Sequence, residues 1–399
     1  VSRKPPMKLK LSRNTLAFGA TSFLVEVSSE MIGPIMPLFL INVLKANAFV
    51  IGLIEGISEF IVAVMSLLSG YVSDRFGHRK RISVLGYSIS ASMKALFAIA
   101  FSWHHILGIA ALERFGKGIR GVPRDSMMTY SERREHLGKA FGYRKMMDSL
   151  GAVAGPLISI VLVAWLLPQI GEEGAYRVIF VLAVFPALIG VLILVKYVRD
   201  RQQEPRGGKE IVDGLMRNRD YRSMVIAGAV FALAQFSTAF FILKTQEITS
   251  SIIMTLLGYT VYNLSYAIFA MPVGALTDKL GGKKMMVFAY LLFALCLFGF
   301  AFASDYIFLA FFAVLGIVSA VIETTPRAFI ARITDGRDYG TAIGFYQGVT
   351  GVLVLPANLL AGALWEVKIA GVHASFALSL VVACAAACLM LYFVRSKKL

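Results

Sequence analysis

The sequence predicts an all-α membrane protein of twelve transmembrane helices, arranged as two pseudo-symmetric six-helix halves. Of its 399 residues, 57% are hydrophobic and only 16% are charged, whereas a soluble protein carries about 25% charged residues. Apolar runs of about 20 residues recur along the chain, and each can cross a hydrocarbon core about 30 Å thick. A polar turn also recurs once in each half-chain, which indicates duplication of one membrane unit.

Twelve spanning segments follow from the apolar runs. The first run begins only after Arg13, so we expect it to be a retained helix rather than a cleaved signal peptide. The segments are predicted near 14–43, 48–73, 81–101, 104–128, 138–167, 174–197, 222–245, 250–275, 284–303, 306–331, 339–364 and 371–394.

The net charge of +16 is distributed over alternate loops. Basic residues precede the first segment and follow the second and fourth, while the intervening turns carry little charge. The positive-inside rule therefore predicts a multi-pass protein of the cell membrane with both termini in the cytoplasm, and no nucleic-acid partner. The three cysteines lie within apolar segments and are expected to pack rather than form disulfides.

Three sequence features repeat at a near-constant spacing. The turn at 70–80 recurs at 274–284, Pro123-Arg124 recurs as Pro326-Arg327, and a Gly-x-Ala-x-Gly run at Gly138 recurs at Gly340. The longest polar stretch lies at the midpoint. We therefore predict an N-terminal half at 1–198, a cytoplasmic linker at 199–221 and a C-terminal half at 222–399.

These residues resemble the major facilitator superfamily over essentially the whole chain. The family's loop motif, Gly-x-x-x-Asp-Arg-x-Gly-Arg-Arg/Lys, is present at 70–80 with His78 in place of an Arg. The fourth-helix motif Arg-x-x-Gln-Gly appears at 114–118, with Lys117 where Gln is usual. The fifth-helix motif of proton-coupled exporters, Gly-x8-Gly-x3-Gly-Pro, appears as Gly142, Gly151, Gly155 and Pro156. The resemblance implies a twelve-helix secondary transporter of an exporter-like, proton-coupled branch.

The repeated turn and the glycines of the fifth helix are predicted to gate the protein. Glycines let helices approach closely, and aspartates in the turn could sit against helix N-termini in the other half. The alternative is that the turn only fixes topology. The candidate gating residues are Gly70, Asp74, Arg75, Arg79, Gly274, Asp278, Gly151, Gly155 and Pro156.

Four carboxylates occur in two pairs near the middle of the first two segments. Glu26 and Glu30 are four residues apart, as are Glu55 and Glu59, so each pair shares a helix face. Charges at this depth are costly and should face a cavity or a partner. We predict that at least one of Glu26, Glu30 and Glu59 carries protons. The alternatives are permanent ion pairs with Lys94 or the fourth helix, or a four-carboxylate metal site.

A basic stripe lies on the fourth helix. Arg114, Lys117, Arg120 and Arg124 fall within an arc of roughly 120° at 100° per residue. Arg120 and Arg124 are expected near the cytoplasmic mouth, and Arg114 and Lys117 deeper. Two intrahelical pairs are also predicted from their i, i+4 spacing: Glu113 with Lys117, and Arg144 with Asp148.

The deeper basic groups either belong to a coupling network or contact an anionic ligand. By resemblance, Arg114 takes the family position linked to proton coupling. The predicted proton-coupling set is Glu26, Glu30, Glu59, Arg114 and Asp148, and the predicted substrate-binding set is Lys94, Arg114, Lys117, Gln235 and Asn263.

No nucleotide-binding loop, metal-binding Cys/His cluster or nucleophile–His–Asp arrangement is apparent, so neither an enzyme nor a cofactor is predicted. We expect a monomeric secondary transporter that exchanges protons for a small organic solute and moves that solute outward. Its expected partners are the solute, protons and membrane lipids. Proton symport of an anionic metabolite, a lipid or lysolipid flippase, and a non-transporting receptor or channel remain as alternatives.

Overall fold

The computed structural model describes residues 11–76, 78–132, 137–200, 216–303, 305–333, 339–367 and 371–393. Within these ranges, the side chains of 70–76, 137–138, 278, 305, 331–333, 339–341, 371–372 and 393 are not described.

The described residues form twelve helices. The helices are α1 (Arg13–Ile32, continued by Met36–Leu38 and Phe39–Val43), α2 (Ala48–Phe76), α3 (Arg79–Phe97), α4 (Trp103–Ser131), α5 and α6 (both within Leu137–Tyr197), α7 (Arg219–Ala234, continued by Thr238–Thr249), α8 (Ile252–Leu280), α9 (Gly282–Phe302), α10 (Phe308–Ile333), α11 (Tyr339–Trp365) and α12 (Gly371–Phe393).

Nine stretches among the described residues are long and apolar enough to cross a membrane. One of them, Lys139–Tyr197, holds two spans, because Gly171 has a φ of 71° and interrupts the helix. A positive φ suits glycine, which has no Cβ to clash with the backbone. We therefore number 137–170 as α5 and 172–197 as α6. The more charged α3 and α4 complete the set, and the chain is a multi-pass membrane protein.

The helices pack mainly within their own half. In the first half α1 lies against α5 and α6, and α3 lies against α4. In the second half α8 packs against α10, and α12 against α7 and α9. The two halves meet along α2 with α11 and along α5 with α8. Two interfaces between six-helix units confirm the predicted fold class, while the predicted domain boundaries stay a prediction because 201–215 lie outside the described residues.

The two halves touch closely at one end of the helix bundle. We call the end that holds the starts of α1 and α3 and the end of α12 the basic side, and the other end the opposite side. On the opposite side Glu366 Oε1 accepts a hydrogen bond from the Ala48 amide at 2.8 Å. A Cβ added to Gly362 would lie 2.7 Å from the Ala48 carbonyl oxygen, and one at Gly52 would overlap the Asn358 carbonyl. The halves are therefore in backbone contact at the opposite side.

The predicted spans agree with these helices to within a few residues, except in two respects. The third span ends at Phe97 rather than near 101, because the chain turns there before α4 begins. Two spans are also broken inside the membrane, α1 at 33–35 and α7 at 235–237. Pro34 has no amide hydrogen to continue α1, whereas the break in α7 depends on contacts from other helices.

Candidate functional site

A polar cavity of about 650 Å³ lies between the two halves, in the part of the bundle nearer the basic side. A smaller chamber of about 140 Å³ continues from it toward the opposite side. We call them the main cavity and the deep chamber. The residues that line both are Glu30, Glu55, Arg114, Lys117, Ser237, Thr238 and Tyr259.

The glycines of α5 set the position of the two carboxylates on α1. A Cβ at Gly151 would lie 2.9 Å from the Glu26 Cβ, and one at Gly155 would lie 2.7 Å from the Glu30 Cβ. Real Cβ atoms do not approach so closely, so only glycine lets α1 lie at this distance from α5. The sequence predicted close packing for Gly151 and Gly155, but it did not connect that packing with Glu26 and Glu30.

The two α1 carboxylates have different surroundings. Glu30 lines both the deep chamber and the main cavity, and its buried Oε2 has no hydrogen-bond partner among the described residues. Glu26 lines neither space. It lies within electrostatic range of Glu30 on one side and of Asp148 on α5 on the other. Three carboxylates thus follow one another from the cavity into the contact between α1 and α5.

Asp148 ends this series at a link between the halves. Its carboxylate accepts a hydrogen bond from Ser22 Oγ at 3.0 Å and lies 3.4 Å from Lys145 Nζ. Lys145 Nζ also lies 3.5 Å from Glu323 on α10 and 4.7 Å from the centre of the Tyr266 ring on α8. Lys145 therefore joins α5 to two helices of the other half. Neither this role nor the position of Lys145 was predicted from the sequence.

The predicted pair of Arg144 with Asp148 is wrong. The Arg144 guanidinium lies 3.9 Å from Asp125 on α4, and Asp148 is already engaged by Lys145 and Ser22. The i, i+4 spacing was correct, but a partner on a neighbouring helix competes with one on the same helix.

Arg114 is held between two carboxylates. Its guanidinium lies 3.4 Å from Glu59 on α2 and 3.5 Å from its neighbour Glu113. Glu113 in turn accepts a hydrogen bond from Ser90 on α3. The predicted pair of Glu113 with Lys117 is therefore wrong. The alternative of an ion pair with the fourth helix holds for Glu59.

Glu55 supports the broken part of α7 instead. It accepts a hydrogen bond from Ser237 Oγ at 2.9 Å, and the Ser237 amide donates to Asn358 Oδ1 on α11 at 2.8 Å. Irregular backbone at membrane depth is tolerated where it is buried in protein or lines a cavity. Here both conditions hold. Ser237 was missed as a functional residue.

Lys94 is buried at the wall of the deep chamber. Only 2% of it is exposed, and Nζ donates to Ser28 Oγ at 2.8 Å and to Ser29 Oγ at 2.9 Å. Both serines lie on α1 between Glu26 and Glu30. Lys94 therefore lines the deep chamber with its donors already used in part by α1.

The basic stripe of α4 divides into a lining part and a packing part. Arg114 and Lys117 line both spaces, and Lys117 makes no hydrogen bond or ion pair with any described residue. Arg120 is buried with its guanidinium 4.3 Å from the centre of the Tyr87 ring. Arg124 donates to Asp125 at 2.8 Å. Only the deeper two residues are thus placed to meet a ligand.

Of the two substrate-binding residues predicted in the second half, one lines the main cavity and the other does not. Gln235 lines the main cavity beside the break in α7. Asn263 is buried and lines neither space, and its Nδ2 has no hydrogen-bond partner among the described residues. Several aromatic side chains complete the wall of the main cavity: Phe236, Phe241, Tyr259, Tyr262 and Phe293.

Most of the predicted gating turn cannot be placed. Gly70, Asp74, Arg75 and Asp278 lie outside the described side chains. Arg79 is buried with its guanidinium 4.9 Å from the centre of the Tyr130 ring on α4, within the same half.

Two of the predicted close-packing glycines have no close neighbour among the described residues. A Cβ added to Gly274 would meet no described atom within 4 Å, and the same holds for Gly142. Pro156 lies inside α5 without interrupting it, since Gly171 is the one residue with non-helical torsions between Leu137 and Tyr197.

The four carboxylates of α1 and α2 are not arranged around a common point. Glu55 is bound to Ser237 and Glu59 to Arg114, while Glu30 and Glu26 follow one another along α1. Among the described residues, no group of three or more His, Cys, Asp and Glu side chains is placed to hold a metal ion. The alternative of a four-carboxylate metal site therefore has no geometric support.

Comparison with known proteins assigns the chain to a family. The sequence profile of the Major Facilitator Superfamily matches residues 18–248 and 224–399. The uncharacterized MFS-type transporter MJ1317 of Methanocaldococcus jannaschii is 34% identical over 369 residues, which is 90% of either chain. The multidrug resistance protein MdtH of Yersinia enterocolitica is 24% identical over 332 residues, covering 81% of this chain and 80% of that protein.

A solved structure has the same fold. It is a bacterial homologue of the human lysosomal transporter Spinster in an inward-facing, unoccupied conformation, with a TM-score of 0.77 at 16% identity over 96% of both chains. Twelve helices, a cavity between two halves and a family profile over the whole chain lead to one assignment. This protein is a membrane transporter that belongs to the major facilitator superfamily.

Proposed function

We propose that this transporter is a proton-coupled antiporter that exports a small organic solute by alternating access. The observation that carries the proposal is Glu30, a membrane-buried carboxylate that lines the cavity and has an unpartnered oxygen. A buried charge is stable only when it is paired or neutralised. Glu30 can meet that need by binding either a proton or a polar group of the solute, and such competition is what couples the two.

A mechanism follows from this competition. With the cavity open to the basic side, which the positive-inside rule assigns to the cytoplasm, deprotonated Glu30 helps to hold the solute. After the halves rock, a proton from the outer side binds Glu30 and releases the solute there. The return step carries the proton inward, and Glu26 and Asp148 supply further carboxylates along α1 and α5 through which it can leave.

Export is favoured by two further points. The fifth-helix glycines match the motif that the family's proton-coupled exporters share, and they pack against the very turn of α1 that carries Glu26 and Glu30. A relative that matches most of the chain is named a multidrug resistance protein. Both support an outward direction. The charge of the loops supports a plasma-membrane protein with its termini in the cytoplasm.

The test is proton-driven movement of the solute in proteoliposomes. An imposed pH gradient, acidic on the opposite side, should drive the solute toward that side, and Glu30→Gln should abolish the pH dependence. Glu247→Gln is the matched control, because Glu247 is exposed and pairs with Lys244 away from the cavity. If Glu26→Gln, Glu30→Gln and Glu59→Gln each leave pH-dependent transport intact, the proposal is wrong.

Proton symport of an anionic metabolite is the second candidate, and a specific observation favours it. Lys94, Arg114 and Lys117 all line the deep chamber. In that case the same acid gradient would drive accumulation on the basic side instead. The sign of solute movement under one imposed gradient therefore separates the two functions.

A further inference from the structure

The charged groups around the deep chamber fall into two sets, those already satisfied by the protein and those left over. Arg114 is held by Glu59 and Glu113, Lys94 donates to two serine hydroxyls, and Glu55 accepts from Ser237. These groups are fixed by neighbours on other helices. They shape the chamber and its field, and their direct partners are already present.

Two opposite charges are left over. The Glu30 carboxylate on α1 interacts with the Tyr259 hydroxyl on α8, but its buried Oε2 has no hydrogen-bond partner among the described residues. Lys117 on α4 makes no hydrogen bond or ion pair with them. Both side chains line the deep chamber and the main cavity, so both lie at the passage between these two spaces. Their charges act on each other across this space without direct contact.

The size of the two spaces limits what can occupy them. The deep chamber holds about 140 Å³, and a cavity of about 150 Å³ accepts a molecule the size of benzene. Only a compact group of a few heavy atoms fits there. The main cavity is larger, about 650 Å³, and its wall carries aromatic side chains such as Phe241 and Tyr262. A ligand that fills both therefore combines a small charged head with an apolar body.

We infer that the transported solute is an amino-acid-like zwitterion, whose ammonium group pairs with Glu30 and whose carboxylate pairs with Lys117, with an apolar side chain in the main cavity. A solute with a single charge would satisfy one of the two groups and leave the other charged within the membrane without a partner, which is costly. A zwitterion satisfies both at once. The inference builds on the proposed function, because the solute's ammonium is then the group that competes with the proton for Glu30.

The experiment compares solutes that share one apolar body and differ only in charge. L-leucine, 3-methylbutylamine and 4-methylpentanoate form one set, and L-phenylalanine, 2-phenylethylamine and 3-phenylpropanoate form a second. Binding to the purified full-length protein in lipid nanodiscs is measured by calorimetry, without any pH gradient. We expect at least one zwitterion to bind at least about tenfold more tightly than its amine and its carboxylate. Equal or tighter binding of either singly charged analogue, or no zwitterion binding at all, would overturn the inference.

Two variants then assign the charges. Lys117→Gln should weaken zwitterion binding at least about tenfold and leave binding of the amine nearly unchanged. Glu30→Gln should also weaken zwitterion binding at least about tenfold, but it should leave binding of the carboxylate nearly unchanged. The matched controls are Lys139→Gln and Glu247→Gln, which remove exposed charges outside the cavity. Each variant is first shown to melt within a few degrees of the wild type. Loss of zwitterion binding with no selectivity between amine and carboxylate would count against the assignment.

This inference and the proposed function can fail separately. Zwitterion binding in nanodiscs together with transport that ignores an imposed pH gradient would leave the inference standing and remove the proton coupling. Proton-coupled movement of the amine alone would support the proton coupling and overturn the inference of a zwitterionic solute.

Discussion

Two residue types that seem unrelated in the sequence form one structural unit around Glu26 and Glu30. The carboxylates lie on α1 because two glycines of α5 leave room for their Cβ atoms. Ser159 on α5 also donates to the Met31 carbonyl at 2.9 Å, which holds the same two helices together just beyond Glu30. Close helix contact thus fixes the direction in which Glu30 enters the cavity.

We expect Gly155→Ala to destabilise the protein and to weaken proton coupling. The added Cβ would lie 2.7 Å from the Glu30 Cβ and 2.8 Å from the Val27 carbonyl oxygen, so α1 must move. Overpacking of this kind costs about 1–3 kcal/mol. The melting temperature in detergent and the pH dependence of transport are the two readouts.

Gly142→Ala is the matched control, since a Cβ there meets no described residue within 4 Å. It belongs to the same motif and the same helix, and it should leave both readouts unchanged. If Gly155→Ala and Gly142→Ala behave alike, close packing of α1 on α5 is not the role of Gly155.

At the level of helices, the break in α7 is the feature that places Ser237 and Glu55 together. Ser237 accepts from the Ala239 amide as the N-cap of the second part of α7, donates to Glu55, and has its own amide bound by Asn358. The break is thus held by one helix of each half. This arrangement also explains why Glu55, unlike Glu30, is not free to serve the solute.

We expect Asn358→Leu to reduce the free energy of unfolding by about 1–3 kcal/mol, because it leaves the Ser237 amide without a partner at membrane depth. The side chain is fully buried, so water cannot replace the lost acceptor easily. Thr245→Val serves as the control. Its hydroxyl binds the Phe241 carbonyl within its own helix, and removing it orphans no amide. Equal unfolding free energies for the two variants would show that the break needs no support from α11.

The sequence predicted helix positions well and side-chain partners poorly, and α7 shows why. Hydropathy and charge depend on residues close in the chain, so all twelve spans could be placed. The break at 235–237 depends on Asn358 and Glu55, more than a hundred residues away in either direction. Lys145 was missed for the same reason, since its partner Glu323 is 178 residues away. The carboxylates were found because any charge within an apolar run is conspicuous.

For the whole molecule, the two halves are joined by an ionic link beside the cavity. Lys145 lies within 3.5 Å of both Asp148 in its own half and Glu323 in the other. Tyr266 donates to Glu323 at 2.7 Å and completes the group. Any rocking of the halves must change these distances, so the charge state of Asp148 and the position of the halves depend on each other.

We expect Lys145→Met and Glu323→Gln to be energetically coupled. In a double-mutant cycle on the unfolding free energy, the interaction energy should be about 0.5–3 kcal/mol, as for other contacting residues in one network. Pairing Lys145→Met with Glu247→Gln should give additive effects, because Glu247 binds Lys244 elsewhere. Additivity in both cycles would mean that the link contributes nothing to the union of the halves.

The opposite side of the bundle is closed by contacts in which glycines allow α2 and α11 to touch. Gly52 packs on the Asn358 carbonyl, and Gly362 packs on Ala48 and Phe49. Side chains at these positions would hold the halves apart at this end only, since the main cavity lies toward the basic side. Contact at this end is therefore one of the features that a rigid-body movement of the halves would have to change.

Gly52→Val should shift the protein toward the state that is open on the opposite side. A cost of about 1–3 kcal/mol in the closed contact changes a two-state population by about 5- to 150-fold.

The reporter for this shift is Gln347→Cys, in a chain whose three native cysteines are replaced. Gln347 is an exposed residue that lines the main cavity. Its labelling by a membrane-impermeant thiol reagent, added to proteoliposomes on the basic side, should slow at least about fivefold. Gly108→Val, where a Cβ meets nothing within 4 Å in the described part of the chain, should leave the rate unchanged. An unchanged rate in Gly52→Val, with a normal melting temperature, would show that this glycine contact does not control which side is open.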